Sequence, residues 1–193
     1  MKVELYTGPT VEPLTVAEAK AHLRVDHTTD DTLIESLIKA ARATAEKFQG
    51  RGYLNQTYKL YLDYFPAAGY IELPYAPLSS VTSVVYEDEN SDTQTWASSN
   101  YQVDTKMEPG RIWLAPGITW PRVEPDRINA VTITYVVGYG ATSASVPENI
   151  RHAIRLILSD LYNHRENTVV GQTANEIPFS AQHLLWQDRA FRF

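Results

Sequence analysis

The residues with the most chemical potential in this sequence cluster near its first turn: His22, Asp26, His27, Asp30 and Asp31. Imidazoles and carboxylates are what a zinc or iron site would recruit, and a histidine beside an acid is the pairing a general base requires. The spacing supports neither use. No H-x-x-x-H or H-E-x-x-H frame occurs to put two imidazoles on one helix face. The run reads instead as a polar turn in which Asp26 to Asp30 supply side-chain acceptors for the free N–H groups of the next helix. His152, His164 and His183 fall on the solvent side of their helical patterns.

Asp88-Glu89-Asn90-Ser91-Asp92 opens like a calcium loop, but Thr93 stands where the turn needs glycine and Ser99 where a bidentate glutamate belongs. It is expected to be an acidic hairpin tip. Gly138-Tyr139-Gly140 lacks the frame of a phosphate-binding loop and reads as a strand exit. No G-x-S-x-G elbow appears, and cysteine is absent, which removes thiolate ligands, thiol nucleophiles and disulfides together. The sequence assigns no catalytic residue, no metal ligand and no cofactor, and the protein is not expected to be an enzyme.

The elements that would carry any surface fall into three segments. Residues 12 to 52 read as a helical hairpin. Thr15-Val16-Ala17-Glu18 is a capping box that starts a helix from about Val16 to Arg24, and a second helix carries a stripe of Leu33, Leu37, Ala40, Ala41, Thr44 and Phe48 before Gly50 and Gly52 stop it. From Tyr53 to Gly140 the period changes to two, in runs at 58–63, 71–73, 81–86, 101–103, 111–114 and 131–135 separated by prolines and glycines. This predicts a mostly antiparallel sheet or barrel of five to seven strands. From Pro147, placed at a first helical position behind Ser145, an apolar face of Ile150, Ala153, Ile154, Ile157, Leu158 and Leu161 predicts a third helix packed on the hairpin. After Arg165 the period dissolves, and the chain ends in an apolar, aromatic and arginine-bearing stretch.

The fold class expected is therefore α+β: a helical bundle of 1–52 and 147–165, an inserted β-rich domain of 53–146, and an extended C-terminal arm of 166–193. The chain has 193 residues, with 17 basic against 23 acidic side chains, a net charge of −6 that argues against wrapping duplex DNA. Most of that excess lies in the β-rich segment, with 5 basic and 10 acidic residues from Tyr53 to Val146. The 12 Tyr, 4 Trp and 5 Phe exceed what a core of this size needs and suggest contact surfaces. Glu4 and Gly8-Pro9 interrupt any secretion signal, and the longest mostly apolar run, Ala130 to Ala141, falls short of the about 20 residues a membrane span requires. A cytoplasmic chain without membrane contact is expected.

In this order, Leu14-Thr15-Val16-Ala17-Glu18-Ala19-Lys20-Ala21-His22-Leu23-Arg24-Val25-Asp26, Asp30-Asp31-Thr32-Leu33-Ile34 and Phe48-Gln49-Gly50-Arg51 resemble the head-tail connector proteins of tailed bacteriophages, the adaptor or head-completion proteins. The likeness continues through Leu73-Pro74-Tyr75-Ala76-Pro77-Leu78-Ser79-Ser80-Val81, Pro109-Gly110-Arg111-Ile112, Trp120-Pro121, Tyr135-Val136-Val137-Gly138-Tyr139-Gly140 and Val146-Pro147-Glu148-Asn149-Ile150-Arg151-His152-Ala153-Ile154. The resemblance implies a structural virion protein that forms a homo-oligomeric ring, expected as a dodecamer, below the portal protein. Such a ring extends the DNA exit channel, lets DNA pass without specific binding, and joins head to tail through the next connector or tail protein. It would be assembled in the host cytoplasm and sit at the head-tail interface of the virion. A neighbouring connector ring (stopper or tail terminator) is the alternative, and a small enzyme or glycan-binding module is a weaker one. The portal-docking arm maps onto Ile177, Phe179, Leu184, Leu185, Trp186, Arg189, Phe191, Arg192 and Phe193.

Overall fold

The computed structural model describes residues 1–164 and 177–190, which divide into a β unit, built from Met1–Pro9 and Asn55–Tyr139, and a helical unit, built from Thr10–Leu54 and Gly140–Arg189. In the helical unit the Thr15 amide donates to Glu18 Oε2 at 2.8 Å and the Glu18 amide to Thr15 Oγ1 at 3.2 Å, the reciprocal pair of a capping box, and α1 runs Val16–Leu23. It ends where Arg24 turns left-handed at φ 59°. The second helix, α2, spans Asp31–Gln49 and stops at Gly50, whose φ of 69° is one that glycine adopts without a Cβ penalty. α3 spans Glu148–Asn163 and α4 spans Phe179–Trp186.

The helical core joins Leu14, Ala19, Ile34, Ile38, Ala41, Ala45, Tyr53 and Leu54 to Ile150, Ala153, Ile154, Ile157 and Leu158. On α3 this is the expected face, with Leu161 only half-buried. On α2 the buried row is Ile34, Ile38, Ala41, Ala45 and Gln49; of the predicted Leu33, Leu37, Ala40, Ala41, Thr44 and Phe48 only Ala41 is buried, and each of the others stands one residue before a buried position. Apolar residues stand in adjacent pairs there (Leu33-Ile34, Leu37-Ile38, Ala40-Ala41), so periodicity marks a broad stripe, and its centre is set by what packs on it. Two capping expectations also change. The Asp30 side chain makes no cap bond and instead accepts from the Tyr162 hydroxyl at 2.6 Å, and Pro147 is the N-cap of α3 itself.

The β unit holds eight strands: β1 (Lys2–Thr7), β2 (Gln56–Leu62), β3 (Tyr70–Glu72), β4 (Leu78–Glu87), β5 (Thr93–Trp96), β6 (Tyr101–Asp104), β7 (Arg111–Leu114) and β8 (Val131–Val137). They form a five-stranded sheet in the order β1-β2-β8-β4-β5 and a three-stranded sheet in the order β3-β7-β6, antiparallel throughout. Along β8 burial alternates, with Val131, Ile133, Tyr135 and Val137 inside, as a half-buried strand dictates. The inward residues of both sheets share one core, from Leu60, Val84 and Ile133 to Ile71, Leu73 and Ile112. Gly110 is needed at a close approach: a Cβ there would overlap the Leu78 side chain. Six of these strands follow the predicted runs, whereas β1 and β5 do not. The sequence groups residues 2–7 with the helices, yet Lys2–Thr7 completes the edge of the larger sheet.

The aromatic surplus also lands differently from the expectation of contact surfaces. Much of it fills the β core: Tyr58 stacks on Tyr75 at 4.5 Å, and Phe65 on Trp120 at 4.9 Å, with Trp96 5.0 Å from Trp120 and 5.5 Å from Tyr101. Of the four tryptophans only Trp113 and Trp186 are exposed. Among the described residues no helix is long and apolar enough to cross a membrane.

Candidate functional site

The C-terminal segment expected as an extended arm is, from Ile177 to Arg189, a short helix with flanking turns seated in the helical unit. Pro178 sets its start and the Gln182 side chain folds back to donate to the Ile177 carbonyl at 3.0 Å. Ile177, Ala181 and Leu185, spaced four apart, form its buried row. A polar clamp holds the far end. Gln49 Nε2 donates to the Leu185 carbonyl at 2.6 Å, Arg51 Nε donates to the Asp188 carbonyl, and Asn149 Nδ2 donates to Asp188 Oδ2 at 2.7 Å.

That clamp belongs to a larger buried network. Gln49 Oε1 accepts from the Tyr53 hydroxyl at 2.7 Å, and Glu46 Oε1 accepts from the Tyr53 amide at 2.8 Å. Glu46 Oε2 pairs with Arg42 Nη1 at 2.7 Å, while Arg42 Nε reaches Glu12 at 2.7 Å. Burial opposes the Arg42 charge, but the hydrogen bond it donates to Glu12 and the attraction of Glu46 outweigh it and hold the guanidinium above its ordinary pKa. The sequence offers a faint trace of this network, since Glu46 and Gln49 lie on the face that the alanines and isoleucines of α2 bury, where an unpaired polar group would be costly.

The nine residues expected to dock therefore separate. Ile177 and Leu185 are buried and hold the helix in place, and Leu184 is half-buried. Phe179 is 80% exposed and Trp186 is 54% exposed. Trp186 lies 6.3 Å from the Phe48 ring, and the Arg189 guanidinium sits over both, 5.2 Å from Phe48 and 5.0 Å from Trp186. This gives a partly exposed patch of two aromatics and an arginine on the anchored helix, the residue types that dominate interface energetics. Phe48 joins it, although the sequence reading placed it in the core stripe. Phe191, Arg192 and Phe193 lie outside the described residues.

The candidate chemistry near the first turn is taken apart by the fold. Asp31 pairs with Lys20 at 2.7 Å, Asp30 takes the Tyr162 hydroxyl, and His22 meets the His152 ring edge-on at 6.4 Å. Burial, then the charges of His152 and Arg155, lower the His22 pKa. His152, His164 and His183 are exposed, as their patterns predict. Asp88 spends its carboxylate on the Asn90 and Asp92 amides and on Gln94, so the acidic tip is a self-capped turn, and these bonds hold its pKa low. Among the described residues no three His, Asp or Glu side chains converge as a metal site would need.

What remains is a two-unit α+β chain with an anchored aromatic patch. The profile of phage gp6-like head-tail connector proteins matches residues 13–109. The chain belongs to this head-tail connector family. It is a structural head-tail connector protein in which the N-terminal hairpin and the β-rich segment as far as residue 109 carry the family pattern. Its fold is that of three chains from solved gene transfer agent particles. One comes from the neck of an empty particle computed with C6 symmetry, 24% identical over all of this chain and 97% of that one, with a TM-score of 0.83. The others come from the virion of the native particle (23% identity, TM-score 0.83) and from its neck computed with C12 symmetry (23%, 0.81), each over 100% of this connector and 97% of the other chain. No curated protein matches by sequence.

Proposed function

We propose that this head-tail connector is the adaptor: a ring of copies beneath the portal that extends the DNA exit channel and offers its other side to the next connector or tail protein. The observation that carries the reading is the family match at residues 13–109 joined to a full-length likeness to particle-neck chains. Those necks were computed with C6 and C12 symmetry, which favours a homo-oligomeric ring and, on the portal's own symmetry, a dodecamer. Ring closure requires two different complementary faces on each copy. The role is structural, without catalysis, metal or cofactor, and it places the protein at the head-tail interface of a virion assembled in the host cytoplasm.

A net charge of −6 suits a conduit that DNA must slide through, since each phosphate neutralised would add affinity and drag. The portal contact is assigned to the exposed Phe179 and Trp186 and the half-buried Arg189, followed in the sequence by Phe191, Arg192 and Phe193. Ile177 and Leu185 serve it by seating α4. The test is native mass spectrometry and negative-stain microscopy of the protein with its cognate portal. Rings or portal-bound complexes are expected, lost on Phe179→Ala with Trp186→Ala. A strictly monomeric protein that ignores the portal overturns the adaptor reading, and full docking by the double variant overturns the surface.

A further inference from the structure

Within the β unit, an open groove of about 630 Å³ runs beside β3, lined by Met1, Leu62, Tyr64, Pro66, Tyr70 and Pro74 together with the acids Asp63 and Glu72. Its floor is a strand edge. β3 is the outermost strand of the three-stranded sheet, and on its inner side the Leu73 amide donates to the Gly110 carbonyl and Gly69 accepts from the Leu114 amide, at 2.8 and 2.9 Å. An antiparallel strand turns alternate residues toward its partner. Gly69, Ile71 and Leu73 thus face β7, and Tyr70 and Glu72 aim their N–H and C=O groups outward along the groove. An exposed edge of this kind is a template for another strand.

The walls say what that strand must be. Tyr64 is 71% exposed, and with Pro66, Pro74 and Leu62 it offers apolar and aromatic contact. Among the described residues, the only charged side chains lining the groove are the two carboxylates. Asp63 uses Oδ1 to accept the Asn129 amide at 2.8 Å, which holds it in place with Oδ2 left over, and Glu72 makes no ion pair among the described residues. Across the sheet Glu72 stands opposite Arg111, but that guanidinium is committed to Asp104 at 3.1 Å and lies over the Trp113 ring at 5.0 Å. The surrounding unit is acidic as well, with twice as many acidic as basic residues from Tyr53 to Val146.

We propose that this groove receives an extended, cationic peptide segment of another protein, added as a strand to the open edge of β3. Main-chain bonds to Tyr70 and Glu72 give the register. Lysine or arginine side chains at alternate positions meet Asp63 and Glu72, and the intervening apolar residues lie on Tyr64 and the prolines.

The experiment uses the full chain with two probes of equal length, the N-acetylated amides of Lys-Val-Arg-Val-Lys-Val and Glu-Val-Glu-Val-Glu-Val, followed by calorimetry and by amide hydrogen exchange. The cationic peptide is expected to bind and to slow exchange at the Tyr70 and Glu72 amides. The acidic peptide should bind about tenfold more weakly or not at all, and Glu72→Lys, a surface change, should erase or reverse the preference. Failure of the cationic peptide to bind, equal binding of both, or protection confined to β1 or β5 overturns the proposal. So does protection of Tyr70 and Glu72 that grows with protein concentration without peptide, which would make a second copy the occupant.

Discussion

Replacing Leu185 by alanine separates the anchoring of α4 from its exposed surface. Leu185 is fully buried in the row Ile177, Ala181, Leu185, and truncating a buried leucine costs about 2–4 kcal/mol through lost transfer energy and the cavity left behind. α4 has eight residues, so the loss is expected as local opening of that helix before any global unfolding. At 1.4 kcal/mol per factor of ten, 3 kcal/mol raises the open population by about two orders of magnitude. Hydrogen exchange reads this directly at the Gln182 amide, which donates to the Pro178 carbonyl at 2.9 Å, and at the amides that follow it. Trp186→Ala is the control. Its ring is half exposed and touches Phe48 at 6.3 Å, a contact worth about 0.5–1.5 kcal/mol, so exchange in α4 should rise by tenfold at most. If Leu185→Ala leaves α4 exchange within about threefold of the parent, or if Trp186→Ala opens the helix as much, the division into anchor and surface is wrong.

Three further outcomes are expected. Gly110→Ala should destabilise the β unit by about 1–3 kcal/mol because its Cβ meets Leu78, seen as a lower urea midpoint with an unchanged slope; an unchanged midpoint would remove the close-approach argument. Glu46→Gln should cost about 2 kcal/mol in urea unfolding, less than breaking a lone buried pair because Glu12 still faces Arg42, and no loss would show that the Arg42–Glu46 bridge contributes nothing. The third concerns pH. The Glu18 carboxylate is held below its ordinary 4.5, first by the Thr15 amide and also by the Thr15 hydroxyl and Arg151, so the native state binds fewer protons there than the unfolded one. Its contribution is complete above pH 4.5 and is lost as the pH falls through the lowered native value. Circular dichroism during acid titration should show a smaller acid-induced loss in Glu18→Gln, and identical titrations would contradict the assignment.

The start of α1 and the stop of α2 were legible from short stretches. Thr15 with Glu18, and Gly50 after Gln49, act through bonds spanning a few residues, so their outcome is written locally. The alternation along 131–135 and 111–114 was equally plain because a strand with one wet face shows its period wherever it pairs. Lys2–Thr7 was opaque for the opposite reason: it is an edge strand with nearly every side chain exposed, and its strand state comes from pairing with Gln56–Leu62, about fifty residues away.

The segment proposed to dock shows the same boundary. Composition marked Ile177, Phe179, Leu185, Trp186 and Arg189 as one aromatic and basic stretch, and types alone can go no further. Which of them anchors and which faces solvent depends on the rotation of α4 about its axis, set by Gln49, Arg51 and Asn149 far off in the chain. The buried row of α2 was displaced by one residue for the same reason. Hydrophobic periodicity states that a face exists, whereas its direction and its polar partners follow only once long-range packing has chosen them.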